Sequence, residues 1–410
     1  MARTSYDDWN FMGESQPEDL GVRGAHLPKI QQINTQRNSF ILLCAVVLLT
    51  FMGLVCVYSA SFEMAVASGL PHYYYLIRQL IYVVVGITLM VAINVLPEVA
   101  LKVLSPIMFF SSIILLVFDT VTKKNILMNT NMVNFLFLSL VMYMSLYFSG
   151  RGNDIQKVRQ LVVPVIGCIM VLVLILIQRN FSYALMFLAL SVAMFAAGGV
   201  GLIGIILLVL YAAVPVICVI LSKSDRILAV ARFLIPGLGV NSRTSDIMAI
   251  RSALASGSWF GKGLGGGMFK DGAISDIAGT NILACIGEEI GFWGLIFIFV
   301  FFAAIGVIGY VTAKNIRRQN GYLSNLAIGI STMLVWQFLL NVAWVLGYIL
   351  TDGLPMPFFS FGANIIPVLL ESGILYRIAR VKICSEASEK VMSSIQDELM
   401  FPERYDLENN

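Results

Sequence analysis

From Phe40 to Ala60 the chain runs without a single charged side chain. At the rise of an α-helix, a run of about 20 apolar residues crosses the ~30 Å hydrocarbon core of a bilayer. Comparable runs follow at Tyr74–Leu96, Ala100–Phe118, Met132–Phe148, Leu161–Ile177, Phe181–Ala197 and Leu202–Leu221. After a long polar interval come Ile282–Val311, Leu323–Leu350 and Phe358–Ile378. Helices that are apolar all round have no soluble fold to enter. The runs lack the period-two alternation of barrel strands, so helices satisfy their backbones. The expected fold is all-α, a polytopic membrane protein of about ten transmembrane helices. A large extracytoplasmic loop, residues 222–281, joins the seventh helix to the eighth.

Charge agrees and narrows the classes. Hydrophobic residues make up 58% of the chain and charged residues only 12%, where soluble domains carry about 25% charged. A net charge of +3, with no basic cluster interleaved with aromatics, gives no nucleic-acid partner. The six cysteines sit mostly in apolar runs without metal-ligand spacing, and His26 and His72 lie far apart, so no His-based or Cys-based metal site is expected.

Orientation follows the basic residues of the short loops. Arg23, Lys29, Arg37, Lys102, Arg151, Lys157, Arg159, Lys314, Arg317, Arg318, Arg377, Arg380 and Lys382 fall on one side. That side is cytoplasmic. It holds a polar tail at 1–38, which lacks the short apolar core of a signal peptide, and a charged tail at 381–410. The membrane domain is 39–380. Lys123 and Lys124 fall on the other side and run against the rule, as do the basic residues of the long interval, which count for little.

Several polar groups stand out. In the glycine-rich SGSWFGKGLGGGMFKDG, Lys262 and Lys270 flank the glycines and suit an anionic head group; by itself the stretch reads as a tight re-entrant turn. Glu288 and Glu289 adjoin an apolar span, either as a wet interfacial pair or as functional, buried groups. Pro355 and Pro357 stiffen the TDGLPMPFFSFG turn beside Asp352. Asn341 and Glu371 lie within apolar runs, where helix-to-helix hydrogen bonding and a substrate path are both open readings. Arg179 and Asn180 fall at an outer helix boundary, placed to snorkel or to bind phosphate.

Four stretches carry a resemblance: GLVCVYSAS (53–61), YYYLIRQLIY (73–82), ALASGSWFGKGLG through Lys270 to IGEEIGFWG (253–294), and DGLPMPFFSFG (352–362). Together they resemble the SEDS family (shape, elongation, division and sporulation), which includes FtsW, RodA and SpoVE. The long first tail leans toward the FtsW branch, whose division members often carry one. The resemblance implies a bacterial cytoplasmic membrane protein with both termini inside. It implies polymerisation of lipid II, in cell division or cell-shape maintenance, beside a class B penicillin-binding protein and other divisome or elongasome proteins. Such glycosyl transfer needs a carboxylate base for the acceptor hydroxyl, and cations or a divalent metal for the pyrophosphate.

The sequence departs from the family pattern at the base. Counted back from GEE, Lys270 matches the family lysine, Ser275 and Asp276 replace a Pro-Glu pair, and Thr280 occupies the position of the catalytic Asp. Asp276 is the substitute base this alignment offers, with Glu288, Glu289 and Asp352 as further acidic candidates. The family's QPDLGTA-type motif has become QRNFSYA at 178–184. Three functions are compatible with these residues: an active lipid II glycosyltransferase, a non-catalytic membrane scaffold for a penicillin-binding partner, and a lipid II transporter.

Overall fold

The computed structural model describes residues 32–33, 36–122, 133–150, 158–177, 181–200, 242–267, 274, 276–348, 353–381 and 383–384. The chain forms two compact units: Thr35–Val381, and Met1–Asn34 together with Lys382–Asn410. In the second of these, β1 (Gln32–Ile33) pairs antiparallel with β2 (Ile383–Cys384), Gln32 opposite Cys384.

Every regular element of the larger unit among the described residues is a helix. Its elements are α1 (Gln36–Ala67), α2 (Tyr74–Val95), α3 (Glu98–Thr122), α4 (Val133–Ser149) and α5 (Val158–Ile177). There follow α6 (Phe181–Ala197), α7 (Ser242–Gly257), α8 (Ile282–Ile316), α9 (Gly321–Val345) and α10 (Ile365–Ala379). Among the described residues, five helices are long and apolar enough to cross a membrane, namely α1, α2, α3, α8 and α9. Shorter apolar helices lie within α4, α5 and α6.

Burial shows how such helices pack with lipid as the outer solvent. In α2 the buried residues are Gln79, Val83, Gly86, Met90 and Ile93, one stripe at helical spacing. The remaining apolar side chains, Ile77, Ile81, Val84 and Val91 among them, are exposed. That stripe packs on α10, where Ile366, Leu369 and Gly373 meet Gly86 and Met90. The long α8 lies along α9, with Phe302 stacked on Phe338 at a centroid distance of 4.2 Å. Between α4 and α9, Asn134 donates to Gln337 at 3.0 Å, and Gln337 donates to the Pro355 carbonyl at 2.8 Å. Interhelical bonds of this kind contribute about 0.6 kcal/mol each on average.

One end of the bundle gathers basic side chains on helix ends. Arg377 donates to the Ile93 carbonyl at 2.9 Å and Arg317 to the Ala197 carbonyl at 3.2 Å. Lys102 pairs with Glu98, which also accepts from Asn320.

Several helix bounds differ from the sequence expectation, among them the end of α9 at Val345 where Leu350 was expected, and three departures shape the site. The first helix continues past Ala60 to Ala67. The last begins at Ile365 instead of Phe358, because Pro355 and Pro357 cannot propagate a helix and Phe358 adopts a left-handed φ of 65°. The long interval contains a helix of its own, α7. The expected seventh span, Leu202–Leu221, lies outside the described residues, as do most residues of the two tails.

Candidate functional site

Opposite the basic end, residues 276–281 form a turn that ends at the first residue of α8. Asp276 opens it with φ 46°. Its Oδ2 accepts from the Thr280 backbone N–H at 2.9 Å and from the Thr280 hydroxyl at 3.0 Å. Short acidic side chains favour such local bonding to the backbone, which suits a turn better than a helix interior. Asp276 is exposed, Thr280 half-buried, and Ile277, Ala278 and Gly279 between them are buried.

Two neighbouring segments hold this turn by its carbonyl oxygens. The Ser360 hydroxyl donates to Gly279 O at 2.8 Å, and the Phe361 N–H to Ala278 O at 2.8 Å. Asn341 Nδ2 donates to Thr280 O at 2.8 Å and to Leu354 O at 2.5 Å. Trp344 Nε1 donates to Asn281 Oδ1 at 2.7 Å. The turn's carbonyls are thus satisfied by α9 and by the loop at 353–362. That loop is in turn anchored to α2, where Gln79 Oε1 accepts from the Gly362 N–H at 3.0 Å.

The second part of the site is a break in α8. At Gly291 the backbone leaves helical space, with φ 74° and ψ −167°. The strap after α7 supplies the missing partners. Lys262 N–H bonds Glu288 O and Gly263 N–H bonds Glu289 O, both at 3.0 Å, while Phe292 N–H returns to Ser258 O at 3.0 Å. Only glycine fits at the crossing. A Cβ on Gly291 would overlap the Gly261 nitrogen, and one on Gly261 would overlap the Glu289 carbonyl. Irregular backbone at membrane depth persists where protein covers it in this way.

The same strap settles the state of the two glutamates. Glu288 is fully buried and Glu289 is 3% exposed, so they are not a wet interfacial pair. Lys262 Nζ bonds Glu288 Oε1 at 2.7 Å, and the Ser256 hydroxyl approaches the same oxygen at 3.3 Å. Ser59 of α1 donates to the Glu289 carboxylate, 2.7 Å from Oε1 and 2.8 Å from Oε2. Both of these carboxylates therefore have hydrogen-bonding partners, as burial of charge demands.

Lys270, Asp352, Arg179 and Asn180 lie outside the described residues. Asn341 proves to be a clamp of the Thr280 turn. Glu371 is fully buried, with neither carboxylate oxygen hydrogen-bonded. It sits on the side of α10 away from Gly86 and Met90, so it faces the bundle interior. An orphaned polar group costs about 1–3 kcal/mol. Glu371→Met should therefore hold or raise the melting temperature of the detergent-solubilised protein; a clear drop would show that the carboxyl has a favourable role. Ser59, Ser256, Ser360 and Trp344 escaped the sequence reading. The first three lie inside the stretches that carry the family resemblance, but a lone hydroxyl in an apolar run gives no sign of its partner.

Known proteins match this architecture. The FtsW/RodA/SpoVE profile, described as a cell cycle protein, matches residues 39–383. The chain belongs to this family. Its curated relatives include the probable peptidoglycan glycosyltransferase FtsW of Trichlorobacter lovleyi, 29% identical over 83% of this chain and 92% of that one. The protein of the same description from Bacillus subtilis is 29% identical over 85% of this chain and 92% of its own length. Among solved structures, a chain from a peptidoglycan synthase complex that coordinates polymerisation and crosslinking aligns with TM-score 0.62 and 19% identity, over 83% of this chain and 96% of that one. The rod shape determining protein RodA of Thermus thermophilus aligns with TM-score 0.55 and 20% identity, over 83% and 95%. This SEDS-family chain is an integral membrane protein with the family's helical fold.

Proposed function

We propose that the chain is a peptidoglycan glycosyltransferase that polymerises lipid II in the bacterial cytoplasmic membrane, with Asp276 as its base. The observation that carries this reading is the 3.0 Å bond from the Thr280 hydroxyl to Asp276 Oδ2. It holds a carboxylate within one side chain's reach of the position where the family keeps its Asp. The carboxylate takes the proton of the acceptor sugar hydroxyl. The hydroxyl oxygen attacks the anomeric carbon of the donor sugar, and the lipid pyrophosphate leaves with the electrons of the broken bond. Lys262 and Lys270 neutralise the pyrophosphate. An ammonium has three donors, so Lys262 can keep Glu288 and still meet an anion at its exposed edge. Among the described residues no group of three or more His, Cys, Asp or Glu side chains gathers; the cations this reading assigns are the two lysines. A class B penicillin-binding protein is the partner this reading requires. The test is polymerisation of labelled lipid II by the purified chain, alone and with that partner, in wild type and in Asp276→Asn.

A second reading, a non-catalytic scaffold for the same partner, is favoured by one observation. Both described side-chain bonds of Asp276 are to its own turn, which is what a purely structural cap would do.

In this reading both termini are cytoplasmic. The basic end of the bundle, with Lys102, Arg317 and Arg377, supports this reading, as does the pairing of Gln32 with Cys384. A cysteine replacing Ser68, exposed in the hairpin between α1 and α2, should then react with an impermeant thiol reagent on intact spheroplasts. Reaction only after lysis would invert the topology.

A further inference from the structure

We propose that Glu371, inside the helix bundle, is a proton-binding site that exchanges with water entering from the end of the bundle that carries the Asp276 turn. The inference does not depend on the transferase reading. Glu371 is fully buried, and neither of its carboxylate oxygens has a hydrogen-bond partner. It therefore makes no helix-to-helix bond, the structural use open to a polar residue in a span. Nor does it meet a cation. Arg377, six residues further along α10, donates to the Ile93 carbonyl of α2, on the side that Glu371 turns away from. The helices packed on α10 are α1, α2, α4, α8 and α9. Their buried titratable side chains are Cys56 on α1, Cys285, Glu288 and Glu289 on α8, and Tyr322 on α9. None of these acts electrostatically on Glu371. Glu288 is paired with Lys262, and Glu289 is bonded to Ser59. A carboxylate at Glu371 would be an uncompensated charge in an apolar interior, and a group so placed takes up a proton.

The way in is marked by two further orphans. Asn341 Oδ1 and Asn364 Oδ1 are also buried without a partner. Protonation cannot satisfy an amide oxygen; it needs a donor. Asn341 belongs to the Thr280 turn, whose carbonyl its Nδ2 holds. Asn364 stands three residues after Phe361, whose N–H bonds Ala278 O in the same turn. Asn364 has helical φ and ψ and Glu371 lies seven residues on, so the two share the face of α10 turned from α2. Their Cα atoms are about 10 Å apart along the axis, and the Glu371 side chain leans back toward Asn364, as helical side chains do. A short file of water spans the remainder and donates to the orphaned oxygens, the ordinary role of buried water in a polar interior. The proton of Glu371 comes from that water and returns to it, and the file opens at the turn whose Asp276 is exposed.

The test is infrared spectroscopy of the full chain in lipid nanodiscs at neutral pH, in water and in D2O. Wild type should show the carbonyl stretch of a neutral carboxylic acid, absent from Glu371→Gln and shifted to lower frequency in D2O. Asn364→Leu should slow that shift about tenfold, the scale of one hydrogen bond lost along the path. Should either variant fail to fold, Glu371→Asp, which moves the band without abolishing it, and Asn364→Val take their places. A spectrum that Glu371→Gln leaves unchanged overturns the proton site. A band that does not shift in D2O, or shifts as fast in Asn364→Leu as in wild type, overturns the exchange with water from the turn. Loss of the band on adding sodium or potassium chloride assigns a metal cation to the carboxylate and overturns proton binding. None of these measurements uses lipid II, so failure here and failure of the transferase reading are told apart.

Discussion

Asp276→Asn is expected to lower lipid II polymerisation by ~10²–10⁴-fold, the usual cost of losing a general base. The turn should survive the change. Asp276 Oδ2 accepts two bonds from Thr280, and the amide oxygen of Asn can accept both. Charge is lost while the cap is kept, so a rate effect without a shift in melting temperature isolates the chemical role. Thr280→Asp alone is a poor converse, because it would set a second carboxylate within about 3 Å of the first, where two like charges resist joint ionisation. The informative variant is Asp276→Asn/Thr280→Asp, which places a single carboxylate at the family position. Activity restored there, after loss in Asp276→Asn, supports a relocated base. Activity only in the double variant, with none in wild type, identifies a disabled enzyme on an intact frame. A wild type that polymerises as well as Asp276→Asn assigns Asp276 to the cap and sends the search to Glu288, Glu289 and Asp352.

The second large effect concerns stability. Lys262→Met removes a cation from the fully buried Glu288. Breaking one side of a buried pair typically costs ~3–5 kcal/mol. The ammonium side chain is 27% exposed, which places the expectation at the lower end of that range. Glu288→Gln in the Lys262→Met background should recover most of the loss, since the amide no longer has to be neutralised and Ser256 remains beside it. Urea or thermal unfolding of the four proteins of this cycle gives the coupling directly. Additive losses would mean that the pair does not interact in the folded protein.

How much of this was legible beforehand depends on the kind of interaction. Spans were legible because apolar length is a one-dimensional property: Phe181–Ala197 and the start of α2 at Tyr74 were read to the residue. The start of α10 was not, because FFSFG is as apolar as a helix, and what unwinds it is the backbone at Phe358 and the anchoring of Gly362 to Gln79. Asp276 and Thr280 were close enough in sequence to be paired on paper. The Ser59–Glu289 and Asn341–Thr280 contacts join residues far apart in the chain, and no local pattern announces them. Glycine richness at 261–267 suggested a tight turn. That two of these residues complete the hydrogen bonding of a helix appears only in three dimensions.

That stitched break bears on how the protein is assembled. A translocating ribosome delivers α7 and the strap before α8, and residues 282–316 leave it as one apolar stretch able to enter the bilayer as a continuous helix. The interruption at Gly291 leaves Glu288 O and Glu289 O bonded to the strap's amides. It can therefore form only after both segments are in place, as a late step in which a loop returns from the aqueous face and replaces one turn's hydrogen bonds with its own. Cells making a strap variant such as Gly261→Val would then accumulate a chain with its helices inserted and that end of the bundle unfinished, full-length yet open to proteases on the side of the membrane where the strap lies.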